Sequence, residues 1–178
     1  EQDLLPEHAL EVIELGLQHE QQHQELLLYD IKYILGHNPL FPEYMPIPDI
    51  LNQLESAQLE ERYLHIDADV YEIGFQGTGF HFDNEEGNHR VFLESARVMD
   101  RLITNGEFIE FIEDGGYTKF QYWFMEAWQW VKEQELDSPF HWFQIDGVWH
   151  QFTLYGLQKV DPTAPMIHAS FYEADAFA

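Results

Sequence analysis

From Glu7 to about Leu35 the chain sets apolar residues at helical intervals. Leu10, Ile13, Leu17, Leu27, Ile31 and Ile34 recur among glutamate, glutamine and leucine, and no proline interrupts them. Pro6 suits the first turn of a helix, where its missing N–H costs nothing. Gly36 is expected to end the helix as a left-handed C-cap, and Pro39 bars continuation. A helix of this length spans about 43 Å and needs partners to bury its apolar positions. It reads as one member of a bundle. Four prolines, Pro39, Pro42, Pro46 and Pro48, make the next stretch a linker, and Asp49–Glu61 is a candidate short helix.

Beyond residue 61 the texture changes. "YLHID", "VYEIGF", "RVFLES" and "ARVMDRLI" read as short strands. "TNGEFIEFIEDGG" reads as a helix, with Thr104 as N-cap, Glu107 closing a capping box and Gly115-Gly116 as the stop. "QYWFMEAWQWVKEQ" is a second short helix, and "HWFQIDGVWHQFTL" is a hairpin turning at Asp146-Gly147. A helical piece up to about residue 45 thus precedes an α+β domain that is mostly irregular.

Composition narrows the function. The formal net charge is −25, from 33 acids against 8 bases, so phosphate backbones and anionic lipid are repelled. Neither nucleic acid nor membrane is an expected partner, and no apolar run is long enough to span a bilayer. The absence of cysteine excludes disulfides, thiolate metal sites and cysteine nucleophiles, and it permits a reducing compartment.

The strongest chemical signal is "LGLQHEQQHQELLL", Leu15–Leu28. Residues four apart on a helix lie about one turn from each other on the same face, so His19 and His23 can present two imidazoles to one ion. Gly16, one turn earlier, leaves room for approach. Gln22 flanks the face, whereas Glu25 is turned away from His23 and suits a supporting role. The same letters spell H-E-x-x-H, which in a zinc peptidase would make Glu20 the general base. The longer signature fails, with Leu26 in place of the glycine and Tyr29 in place of the third histidine. Two histidines at this spacing also occur on purely solvated faces.

"LGLQHEQQHQELLLYDIKYIL" closely resembles the iron-binding helix of the ergothioneine-biosynthesis sulfoxide synthases, whose H-x3-H-x-E motif is matched by His19, His23 and Glu25. "FHFDNEEGNHRVFL", "ITNGEFIEFIEDGGY", "WFMEAWQW" and "PMIHASFYEADAFA" resemble the opening of a formylglycine-generating-enzyme-like, or sulfatase-modifying-factor, domain. In those synthases that domain follows a DinB-like bundle. The resemblance implies three parts: residues 1–45 as the last bundle helix with the iron motif, 46–63 as a linker, and 64–178 as the N-terminal part of a C-type-lectin-like domain. It implies Fe(II) held by three histidines, the third on an earlier helix upstream of this chain, with open positions for O2 and a thiol. The implied reaction joins a cysteine-type thiol to the imidazole of Nα-trimethylhistidine as a sulfoxide, in the cytoplasm. Gln22 matches a position lining the trimethylammonium pocket.

The chain departs from the family pattern at both ends. The helix with the third histidine and the thiol-binding arginines are missing, and the active-site tyrosine is expected beyond residue 178. A fragment that binds iron weakly and does not turn over is the expectation, unless His37, His65, His81 or His89 substitutes. His89, Asp83, Asn84 and Arg90 read as turn-forming residues. The aromatic run Tyr122, Trp123, Phe124, Trp128 and Trp130 reads as core in preference to a cation cage, as does Tyr117. A zinc peptidase and a non-catalytic lectin-like remnant are the alternatives.

Overall fold

A computed structural model describes residues 6–49 and 60–178. In chain order the elements are α1 (Glu7–Gly36), β1 (Tyr63–Ile66), β2 (Asp69–Ile73), β3 (His89–Leu93), β4 (Ala96–Met99), α2 (Asn105–Glu113), α3 (Met125–Glu133), β5 (Trp142–Ile145), β6 (Val148–Thr153), β7 (Gly156–Lys159) and α4 (Phe171–Phe177). Helices are combined with small antiparallel sheets, in keeping with the expected α+β class. β7 and α4 have no counterpart in the sequence reading. The candidate helix at Asp49–Glu61 falls almost wholly outside the described residues.

The chain divides into two compact units, Glu1–Asp30 with Glu61–Asp100, and Ile31–Glu60 with Arg101–Ala178. In the first, β1 pairs with β4 and β2 pairs with β3, both antiparallel, with Tyr63 opposite Met99 and Asp69 opposite Leu93. None of its described residues is fully buried. Leu10, Ile13, Leu17 and Leu27, the apolar stripe of α1, lie exposed. His89 serves its own turn, its Nδ1–H donating to the Gly87 carbonyl at 2.7 Å, in keeping with the turn-forming reading.

The second unit holds the buried core: Phe108, Tyr117, Trp123, Ala127, Val131 and Ala176, with Trp128 and Trp130 packed against it. The aromatic run is therefore core at Trp123, Trp128 and Trp130, while Tyr122 and Phe124 stay at the surface. Trp123 can bury its indole because its N–H donates to the Gly116 carbonyl at 2.7 Å. α2 begins as its sequence predicts. The Thr104 hydroxyl accepts from the Glu107 N–H, and the Glu107 carboxylate accepts from the Thr104 N–H. Arg101 grips the same carboxylate through both terminal nitrogens, at 2.9 and 2.7 Å. That guanidinium holds the Glu107 pKa down at about 2, so its share of stability is complete above the usual carboxylate range and is lost as pH falls through it.

β5, β6 and β7 form a three-stranded antiparallel sheet. Asp146 and Gly147 turn the β5–β6 hairpin with φ of 49° and 75°, the left-handed pair that a two-residue turn requires. The proline-rich linker is tied to this sheet: the N–H groups of Tyr44 and Met45 both donate to the Leu154 carbonyl, and Phe41 packs on Phe143 and Phe152.

Gly36 corrects the sequence reading. It is the last residue of α1, it is buried, and its φ is not left-handed. The helix end is instead satisfied by His37, whose Nδ1 lies 2.7 Å from the Tyr33 carbonyl, and Asn38 Oδ1 accepts from the Leu40 N–H. What Gly36 supplies is space. A Cβ there would lie 2.7 Å from His141 Cε1 and 3.0 Å from Phe152 Cδ1. Gly36→Ala should destabilise the chain by about 1–2 kcal/mol through overpacking, in spite of alanine's better helix propensity. The midpoint of urea unfolding measures this, and an unchanged or higher midpoint would contradict the packing account.

Candidate functional site

α1 is continuous through residues 19–25. His19 and His23 stand on successive turns with ring centroids 4.5 Å apart and planes at 88°, edge against face. Both are exposed, as are Gln22 and Glu25. Nothing lies within 4 Å of a Cβ built on Gly16, so the turn before His19 is open. Gln22 and Glu25 make no hydrogen bond or ion pair with either histidine.

Two imidazoles are a borderline donor set: they suit a first-row divalent ion but hold it weakly without a third ligand. Among the described residues no group of three histidine, aspartate or glutamate side chains is placed to hold a metal. The histidines considered as substitutes are engaged elsewhere. His65 Nε2 faces Asp67 at 3.2 Å, and His81 stacks on Phe75 and faces Glu86 at 3.2 Å. His37 caps α1, and His89 serves its turn. Contact with the Gly79 carbonyl and then with Glu86 raises the His81 pKa above the usual imidazole value.

A second cluster escaped the sequence reading. In the second unit, Lys32 Nζ, near the end of α1, lies 2.6 Å from His168 Nε2, 136 positions away. The His168 ring packs against His141 with centroids 5.1 Å apart. Burial first, then neighbouring positive charge, pushes both imidazoles down to about 4, and burial lowers the Lys32 pKa as well. Both histidines also have left-handed backbone, φ 68° at His141 and 66° at His168. That conformation is costly for a non-glycine residue and persists only where its surroundings impose it. The sequence carried one signal that could have pointed here: Lys32 is the only base on a long helix otherwise rich in acids.

No protein-family model matches the chain. It is 27% identical over 168 residues to hercynine oxygenase of Mycobacterium tuberculosis, covering 94% of this chain and 38% of the relative. It is 29% identical over 166 residues to hercynine oxygenase of Mycolicibacterium smegmatis, covering 92% and 37%. Ergothioneine biosynthesis protein 1 of Neurospora crassa is 26% identical over 119 residues, 61% of this chain and 13% of that protein. The chain thus spans well under half the length of the curated relatives it matches. Among the described residues no helix is long and apolar enough to cross a membrane.

The depressed imidazoles make stability depend on pH. Below about 6.5 the unfolded chain takes up protons that folded His141 and His168 refuse until about pH 4, so stability falls with acidification across that window. His168→Gln should flatten this slope relative to the parent chain when urea midpoints are compared at about pH 7.5 and about pH 5. Parallel slopes for the two proteins would contradict the assignment.

Proposed function

We propose that this chain is part of an ergothioneine-pathway oxygenase in which His19 and His23 are two of the ligands to a mononuclear Fe(II). The observation that carries the reading is the pair of imidazoles in contact on one exposed face of a continuous helix, in a chain that aligns along nearly its whole length with proteins named hercynine oxygenase. In this reading residues 1–45 are the final helix of a DinB-like bundle and its exit. Residues 46–63 are the linker, and 64–178 begin a sulfatase-modifying-factor-like domain of C-type-lectin-like fold. The third histidine ligand lies on a helix upstream, and the exposed leucine and isoleucine stripe of α1 is the face such helices cover.

The chain's own residues divide the work. His19 and His23 bind neutral, each offering one ring nitrogen to the ion. Fe(II), once bound with positions left open, supplies the chemistry that couples O2 to oxidation of a thiol and the imidazole of Nα-trimethylhistidine. Gln22, adjacent on the helix, contacts the trimethylammonium end of that substrate. Glu25, one turn beyond Gln22, orients a histidine or braces a neighbouring helix. The open turn at Gly16 leaves substrate a path to this face. The site is cytoplasmic and its partners are small molecules: the thiol, Nα-trimethylhistidine and O2.

The test uses the whole protein that carries this chain, loaded with Fe(II) without oxygen. It should consume O2 only when trimethylhistidine and a cysteine-type thiol are both present, and release a product with a new carbon–sulfur bond. His19→Ala and His23→Ala should each lower turnover by about a hundredfold or more, whereas Glu20→Ala should leave it nearly unchanged. Zinc-dependent peptide cleavage that is lost in Glu20→Ala would overturn the proposal.

A further inference from the structure

A cavity of about 530 Å³ lies in the second unit, and His141 and His168 line it together with Trp130, Phe140, Trp142 and Phe143. His19 and His23 are not among its lining residues, and the chemistry proposed for that pair does not use it. His141 is 7% exposed. Its ring nitrogens make no hydrogen bond with the described residues, and the Nε1 of Trp142, which also lines the cavity, is buried without a partner. A buried polar side chain without a partner is costly unless something else supplies one.

Lys32 stands behind His168. Its ammonium donates to His168 Nε2, which leaves the neutral ring its proton on Nδ1 as a donor. No carboxylate among the described residues pairs with this half-buried charge, although the chain holds 33 acids and 8 bases. Three acids line the cavity and must be weighed. Glu173 is occupied by the Tyr117 hydroxyl and the Ser170 N–H, and Glu135 and Asp137 lie exposed. None of them neutralises Lys32. The cavity is thus lined by His168, whose ring is bonded to the uncompensated Lys32 ammonium, and by His141, which has no hydrogen-bond partner, both among flat aromatic walls. Two left-handed histidine backbones hold the arrangement.

We propose that this cavity is a binding site for a small organic carboxylate with a planar apolar body, its carboxylate received by His168 and His141 under the charge of Lys32 and its body lying against Trp130, Phe140 and Trp142. Charge on the ligand supplies what the Lys32 environment lacks, and hydrogen bonding to it satisfies His141. The aromatic lining supplies the burial that a freely hydrated anion would not find attractive.

The probes are benzoate, its uncharged isostere benzamide, and inorganic phosphate, each titrated into this chain. The readout is the histidine ring C–H resonances, assigned with His141→Gln and His168→Gln. Benzoate should move the His141 and His168 signals saturably and leave those of His19 and His23 in place. Benzamide should require at least about tenfold more, and phosphate should compete poorly. Lys32→Met should abolish the preference for benzoate over benzamide. If Lys32→Met does not fold, the benzoate–benzamide comparison in the parent chain decides alone. Equal affinity for the two isosteres, no saturable shift, or a preference surviving in folded Lys32→Met would overturn the proposal. Phosphate binding as tightly as benzoate would overturn the assignment of an organic carboxylate.

Discussion

The Glu173 carboxylate is 3% exposed, and a carboxylate so placed must have its lone pairs occupied or it would unfold the region around it. Tyr117 and the Ser170 N–H occupy them. Tyr117 comes from the loop after α2, and Ser170 opens α4, so one buried anion fastens the last helix to the aromatic core. Burial and the neighbouring carboxylate drive the Tyr117 pKa well above the usual phenol value, so the pair stays a phenol donating to a carboxylate. Ser170 is two residues from His168. The same lock therefore helps to fix the bend that carries His168 to Lys32, beside the cavity.

Local signals in this sequence were legible because their physics is local. Thr104 and Glu107 are three apart and satisfy each other without help from the rest of the chain. Asp146-Gly147 turns its hairpin for the same reason, and the four-residue spacing alone brings His19 and His23 into contact. The readings that failed or fell short needed distant partners. Gly36 looked like a helix stop because glycine commonly is one; its requirement comes from His141 and Phe152, over a hundred positions later. α4 is a seven-residue helix whose Ser170 and Glu173 form a readable capping box, but its apolar content is too short to stand out from a loop. The Lys32–His168 contact spans 136 positions and has no periodicity to betray it.

That two imidazoles share a face follows from helical geometry. The proposal of iron, a third histidine ligand, a thiol and trimethylhistidine rests on resemblance to a family, to which the relatives, at under 30% identity, add the name hercynine oxygenase. The exposed apolar stripe of α1 favours the proposed bundle, since packing against other helices would bury its bare leucines.

The most direct measurement is iron K-edge X-ray absorption on the whole protein loaded with Fe(II) in the absence of oxygen. The account predicts outer-sphere scattering from imidazole rings that diminishes by one ring in His19→Ala and by one ring in His23→Ala. A coordination sphere of oxygen donors alone, or imidazole scattering that neither substitution changes, would contradict it.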